Sequence, residues 1–110
     1  MGNKLKINET NIDLEFPIKE MITIGNVTVV VLEVPSKVIC NDNVLAFNED
    51  GQLLWRISKQ LIDKFKVYDK CSFVGVFENS KTTVKLFNWE GWVLIVDIKT
   101  GALVDSYFGK

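Results

Sequence analysis

The chain has 110 residues, 47% of them hydrophobic, and its 13 basic residues nearly balance 14 acidic ones, which leaves a formal charge of −1. This length and composition predict one domain, spanning residues 1–110, with a sizeable hydrophobic core. No basic block stands out beyond the spaced Lys64, Lys66 and Lys70. Nucleic-acid binders draw their affinity from concentrated Lys and Arg, so we expect no nucleic acid as a partner.

Histidine does not occur in the chain. The commonest general base and the commonest metal ligand are therefore both missing. We expect a protein that is not an enzyme and that uses no cofactor, no metal and no small-molecule substrate. The two cysteines, Cys40 and Cys71, have neither a zinc-site spacing nor a disulfide framework, and we expect both to be reduced and partly buried.

The longest apolar run, Trp92 to Val96, is far shorter than the roughly 18 residues that span a bilayer. The first ten residues, MGNKLKINET, contain no apolar signal region. We therefore expect no membrane association and a cytoplasmic location.

Turn residues punctuate the chain at short intervals and separate runs rich in Val, Ile, Leu, Phe and Trp, a pattern typical of antiparallel all-β domains. The first strand is predicted near residues 5–8. The second is predicted over residues 12–16, where Ile12, Leu14 and Phe16 alternate and so share one face.

Strands over residues 21–24 and 27–34 are predicted to form a hairpin around Gly25-Asn26, a dipeptide suited to two-residue turns. Residues 29–32 are apolar on both faces, so we expect this strand to be central in its sheet and covered on both sides. The next turn is predicted at Asn41-Asp42-Asn43.

A second hairpin is predicted from strands over residues 44–47 and 52–57, joined by Asn48-Glu49-Asp50-Gly51. Its Asp-Gly pair is the strongest short-range hairpin signal in the chain.

Residues 58–70 break the strand pattern. Ser58 can cap a helix, and apolar residues then recur at three-to-four-residue spacing, which favours a single short helix near residues 58–66. The apolar residues with this spacing are Leu61, Ile62 and Phe65. The alternative is a loop with an isolated strand at residues 65–68.

Four strands separated by turns complete the chain and predict a plain meander. These strands cover residues 73–77, 83–87, 92–97 and 103–108. The predicted fold class is therefore all-β, a single antiparallel domain of about eight to ten short strands in a meander or sandwich with blade-like hairpins and at most one short helix.

Residues 44–54 reappear forty residues later as residues 84–94, with identity at five of eleven positions. The matched pairs are Val44 and Val84, Phe47 and Phe87, Asn48 and Asn88, Gly51 and Gly91, and Leu54 and Leu94. Such self-similarity is typical of propeller blades, but a closed propeller needs more repeats than this chain has room for. We expect blade-like hairpins whose turns need a positive φ at Gly51 and Gly91.

Two hairpins, residues 45–55 and 95–108, resemble repeats of quinoprotein-type propellers, in which an Asp-Gly or Asp-x-x-Thr-Gly turn precedes a strand with a large aromatic residue. The matching residues are Asp50, Gly51 and Trp55 in the first and Asp97, Thr100, Gly101 and Tyr107 in the second. We interpret them as turn and core residues and expect no quinone chemistry.

Three motifs follow one another in the chain: Leu54-Trp55, Asn88-Trp89-Glu90-Gly91, and the turn from Asp97 to Gly101. In this order they resemble, over residues 12–110, small single-domain bacterial immunity proteins encoded beside toxins of contact-dependent growth inhibition and related polymorphic toxin systems. The resemblance implies a cytoplasmic, non-enzymatic β domain. It would bind one cognate protein toxin, expected to be a nuclease, and occlude its active site.

Turn geometry does not require a Trp inside a tight turn, and aromatic residues dominate interface hot spots. Trp89 is therefore either an exposed anchor for a partner or a side chain that folds back to cover a sheet edge. If Trp89 is an exposed anchor, the partner-binding site is assigned to Trp89, Glu90, Glu78, Asp69 and Tyr68. The acidic residues would then steer a basic toxin into place.

Two other functions stay open on the sequence alone. The first is a structural module that self-associates through an unpaired sheet edge. The second is a small hydrolase built on carboxylates, a pair of which cannot be located without a structure.

Overall fold

Ten short strands and one helix form the secondary structure of residues 3–109, the part of the chain that the computed structural model describes. The strands are β1 (Lys4–Ile7), β2 (Thr10–Asp13), β3 (Ile18–Ile24), β4 (Val27–Leu32), β5 (Val44–Phe47), β6 (Leu53–Arg56), β7 (Phe73–Glu78), β8 (Thr83–Asn88), β9 (Trp92–Asp97) and β10 (Leu103–Phe108). The helix α1 spans Lys59–Lys64. With 50% strand and 6% helix, the predicted all-β class is confirmed.

The strands pair in three antiparallel sheets. In the first sheet the order is β3-β4-β5-β6, in the second it is β10-β9-β8-β7, and β1 and β2 form a separate hairpin. Because the second sheet pairs its strands in chain order, the meander predicted for the last four strands is confirmed.

The first sheet is the middle one of three layers. All six residues of its strand β4 are buried. Val29 and Val31 belong to the core shared with the second sheet, whereas Val30 and Leu32 belong to a smaller cluster under the β1–β2 hairpin. The prediction of a central strand covered on both sides is therefore confirmed.

The two large sheets meet at their edge strands, because β3 lies beside β7. The Glu20 carboxylate on β3 accepts a hydrogen bond from the Val76 N–H on β7, at 3.0 Å from its Oε1. A β-bulge interrupts each of these strands near its start. These features occupy two edges that could otherwise pair with another chain.

The connection between β4 and β5 differs from its prediction. Asn41-Asp42-Asn43 is not a tight turn but the end of a long connection over residues 33–43. The Asn43 side chain is buried, and its Nδ2 donates to the carbonyl oxygens of Leu32 and Phe73, each at 2.9 Å, while its Oδ1 accepts the Phe73 N–H at 2.8 Å. The segment is therefore shaped by a contact between the sheets, which local turn residues do not reveal.

The predicted helix is confirmed in a shorter form. The Ser58 hydroxyl accepts the Leu61 N–H at 3.1 Å, Ile62 is buried in the core between the sheets, and Phe65 packs against that core. Residues 65–68 form no strand, so the alternative of an isolated strand there is wrong.

The two copies of the internal repeat fold into matching hairpins, β5–β6 in the first sheet and β8–β9 in the second. In each turn the Asn side chain accepts backbone N–H groups of the residues that follow it. The expected positive φ is present at Gly51 (+80°) and Gly91 (+102°). Repetition in the sequence therefore reflects repeated turn chemistry, with one copy in each of two packed sheets.

Candidate protein-interaction surface

The turn between β8 and β9 is held by the buried side chain of Asn88. Its Oδ1 accepts three successive backbone N–H groups, those of Glu90 and Gly91 at 3.1 Å and of Trp92 at 2.9 Å. Its Nδ2 donates to the Phe65 carbonyl oxygen at 3.0 Å. Four hydrogen bonds of one asparagine side chain thus fix this turn to the segment after the helix.

Glu90 fixes the same segment from the other side of the turn. Its Oε2 accepts the N–H groups of Val67 at 2.6 Å and Tyr68 at 2.9 Å. Hydrogen bonds to a carboxylate are stronger than neutral ones. We refer to this pair of bonds as the Glu90 clamp. The sequence predicted Glu90 as an exposed steering acid, but its carboxylate holds backbone instead.

Between these anchors the side chain of Trp89 points outward and is 68% exposed. The clamped residues Val67 and Tyr68 are 81% and 66% exposed. We call these three residues the Trp89 surface. The Trp89 backbone is itself held, because its N–H donates to the Ser72 carbonyl oxygen at 2.9 Å. A fixed backbone thus presents apolar side chains to solvent, a feature that marks interaction sites.

A cleft of about 520 Å³ opens beside Trp89, at the end of the sandwich where β4 stops and β7 begins. Its apolar lining comprises Leu32, Val34, Phe73, Val74 and Trp89. Lysines stand at its rim: Lys19 pairs with Glu33 at 3.4 Å, and the Lys70 ammonium donates to the carbonyl oxygens of Pro35, at 2.9 Å, and Val38. The cleft is therefore an apolar depression with a mixed-charge rim.

The predicted site residues do not all come together. Trp89, Glu90 and Tyr68 are neighbours through the Glu90 clamp, and Asp69 follows Tyr68 with an exposed side chain. Glu78 is elsewhere, because Phe73 pairs with Asn88 at one end of the β7–β8 ladder and Glu78 pairs with Val84 at the other. Five residues of strand separate the two ends by roughly 17 Å. The placement of Glu78 beside Trp89 is therefore wrong.

The sequence analysis missed Val67 and the rim lysines Lys19 and Lys70. No local sequence pattern signals these residues, because each reaches the surface or the cleft through contacts with segments distant in the chain. Asn88 could have been found, because the repeated Asn48 and Asn88 both precede a Glu and a turn Gly.

Both cysteines are free; Cys71 is buried and Cys40 is partly buried, as expected. Burial raises the pKa of the Cys71 thiol. Burial also raises the pKa of the Cys40 thiol, and a hydrogen bond to Asp42 adds to this effect. A raised pKa lowers the thiolate fraction at neutral pH, so neither residue has the character of an activated nucleophile.

Within residues 3–109 no group of three or more Cys, Asp or Glu side chains is arranged to hold a metal ion. In the same described range no helix combines the length and the apolar character needed to cross a bilayer.

The fold and the surface define a small three-layered all-β protein that presents an exposed aromatic side chain on a restrained turn. The chain belongs to the family described as Domain of unknown function (DUF7957), whose model matches residues 1–108. Neither a curated protein nor a solved structure matches the chain.

Proposed function

We propose that this protein is a non-catalytic binding protein whose Trp89 surface docks onto a protein partner. Following the resemblance of its motifs to immunity proteins, we propose that the partner is a cognate toxin in the cytoplasm and that docking occludes the active site of the toxin. The observation that carries the proposal is an exposed Trp on a turn whose backbone is held on both sides.

Restraint of the turn favours binding. Association costs free energy for every side chain and loop that must be ordered, and a turn ordered in advance avoids part of that cost. The bonds of Asn88 and the Glu90 clamp supply this order before a partner arrives. Trp also offers a large apolar contact area on few rotatable bonds, which is why it is enriched among hot-spot residues.

Acidic side chains contribute less to the proposed binding surface than the sequence suggested. The Glu90 carboxylate is engaged by the clamp and Glu78 lies at the far end of β7, which leaves Asp69 as the exposed acid next to the Trp89 surface. We therefore propose that the aromatic and apolar contacts determine affinity. Asp69 would mainly affect the association rate and its dependence on salt.

The test is protection of cells that express a candidate toxin domain taken from the genes beside this one, together with calorimetric binding to that purified domain. Trp89→Ala is expected to lose about 2 kcal/mol or more of binding free energy, which is roughly a 30-fold rise in Kd. The matched control is Leu53→Ala, which truncates an apolar residue on the other large sheet that is 54% exposed, and this variant should bind as the wild type does.

Two results would contradict the proposal at different levels. Full protection by a folded Trp89→Ala variant would remove the Trp89 surface as the binding site. Failure of the wild-type protein to bind or protect against any neighbouring toxin would remove the toxin as the partner.

A further inference from the structure

The second sheet has an outer face, the side turned away from the first sheet. Alternation along β8 and β9 places Val84, Leu86, Leu94 and Val96 inward, in the core. The residues between them point outward. We define the outer face by Phe77, Lys85, Phe87, Ile95, Asp105 and Tyr107, which are brought together by the registers of β7 to β10.

The outer face is apolar at its centre and open to solvent. Phe77 is 53% exposed and Tyr107 is 41% exposed. The rings of Phe77 and Phe87 meet edge to face with centroids 5.2 Å apart. Large exposed aromatic side chains clustered on one face mark an interaction surface rather than ordinary scattered surface residues.

One row of residues across this face begins at a glycine and ends at an exposed aromatic ring. The registers align Gly75, Phe87, Val93 and Tyr107 on successive strands from β7 to β10. Gly75 has no side chain, and the space next to its Cα is taken by neighbours, since a Cβ there would lie 3.3 Å from the Glu20 Oε1 and 3.5 Å from the Phe77 ring. The row ends with the exposed ring of Tyr107.

The next row carries opposite charges on either side of its centre. It aligns Phe77, Lys85, Ile95 and Asp105. Lys85 and Asp105 are separated by β9, which places their Cα atoms roughly 10 Å apart. Among residues 3–109, Lys85 takes part in none of the ion pairs.

We propose that the outer face binds a second copy of this chain through a two-fold axis parallel to the strands, between β8 and β9. This rotation exchanges β7 with β10 and β8 with β9. It brings Tyr107 of each copy over Gly75 of the other, where the Phe77 ring packs. It also brings Lys85 of each copy near Asp105 of the other.

The charge pattern favours a second copy over an unrelated protein. Two-fold contacts require that one surface be complementary to itself, and this face places Lys85 and Asp105, which carry opposite charges, on opposite sides of the proposed axis. Each ion pair then forms twice. This association uses a sheet face and not the unpaired edge considered from the sequence.

The size of the face sets the expected strength of the dimer. Four strands of six residues cover roughly 15 Å by 20 Å, about 300 Å² in projection. Stable interfaces bury about 800 Å² of accessible surface on each partner. The dimer is therefore weak, and its population rises with protein concentration.

The experiment is sedimentation velocity from about 10 µM to about 1 mM protein, a range that covers weak association. The wild type should shift from monomer to dimer across this range. Lys85→Glu and Asp105→Lys should each raise the dissociation constant by at least about tenfold, because each places like charges together across the interface. The double variant with both substitutions should recover dimerisation, since it exchanges the two charges and keeps the pairing.

A matched control exchanges another exposed pair, Lys4 and Asp13 on the β1–β2 hairpin, whose side chains are 2.9 Å apart. Lys4→Glu, Asp13→Lys and their combination change net charge in the same way and should dimerise as the wild type does. A wild type that stays monomeric at the highest concentration would overturn the proposal. So would a double variant at Lys85 and Asp105 that associates no better than the single ones.

This proposal does not depend on the proposed toxin binding, because Trp89 is not part of the outer face. Trp89→Ala should dimerise normally. The charge variants on the outer face should keep their toxin affinity.

Discussion

Among single residues, two buried asparagines connect distant parts of the structure. Asn43 and Asn88 both lie in the interior, and each joins segments far apart in the chain through donors and acceptors on one short side chain. Every buried side-chain nitrogen and oxygen in residues 3–109 has a hydrogen-bond partner. The buried polar residues therefore join segments through hydrogen bonds. We expect their replacement to lower the free energy of unfolding more than replacement of exposed turn residues does.

Gly51 provides a test of close packing at a turn. Its φ is +80°, and a Cβ added there would lie 2.8 Å from the Cβ of Thr10, whose hydroxyl donates to the Asp50 carbonyl oxygen. Gly51→Ala therefore combines backbone strain with a clash and is expected to cost about 2–4 kcal/mol of unfolding free energy. Urea denaturation measures this loss.

Gly25→Ala is the matched control. Its φ is +59°, but a Cβ there would meet no atom within 4 Å, so only the strain of about 1 kcal/mol applies. Equal losses in the two variants would show that Thr10 moves aside without cost.

Among the secondary-structure elements, hydrogen bonds join each of two turns to a neighbouring segment. The β1–β2 turn rests on the β5–β6 turn, where the Asn8 side chain donates to the Glu49 carbonyl oxygen. The β8–β9 turn holds residues 65–68 through Asn88 and Glu90. The two repeated hairpins thus use their turns alike, each as a support for a neighbouring segment.

Removing the Glu90 clamp should loosen one segment while the sheets persist. Glu90→Ala is expected to speed hydrogen exchange of the Val67 and Tyr68 amides by at least about tenfold, because each loses a charge-assisted hydrogen bond. Amides of β8 and β9 should exchange as before. Amide-resolved exchange followed by NMR is the measurement.

Asp69→Ala is the control for charge, because it removes a neighbouring carboxylate whose side chain is exposed. It should leave the exchange of both amides unchanged. Unaltered exchange in Glu90→Ala would contradict the clamp.

For the whole molecule, the decisive contacts are those between the two large sheets. A common core joins them, and three polar links reinforce it. Asn43 links β4 to β7, Glu20 on β3 accepts the Val76 N–H of β7, and the Trp55 Nε1 donates to the Ile98 carbonyl oxygen at 2.8 Å. We expect the sheets to unfold together as one cooperative unit.

Asn43→Ala should weaken that unit as a whole. It leaves the Phe73 N–H and the carbonyl oxygens of Leu32 and Phe73 without their buried partner. The free energy of unfolding is therefore expected to fall by about 3–5 kcal/mol. The control is Asn48→Ala in the exposed β5–β6 turn, with an expected loss of about 1 kcal/mol. Equilibrium urea denaturation followed by tryptophan fluorescence distinguishes them, and a similar loss in both would contradict the role of Asn43 as a link between sheets.

Alternation, capping and positive φ act within a few residues, so the amino-acid sequence was sufficient to predict the strands, the short helix and the turns other than Asn41-Asp42-Asn43. Residues 29–32 and the Asn48–Gly51 turn are examples in which local chemistry was sufficient. The layer order, the Glu90 clamp, the cleft beside Trp89 and the remote position of Glu78 became visible in the folded structure alone. Each of these depends on hydrogen bonds or packing between segments distant in the chain, such as Glu90 with Val67 and Asn43 with Phe73, and no spacing within a single segment encodes which distant groups will meet.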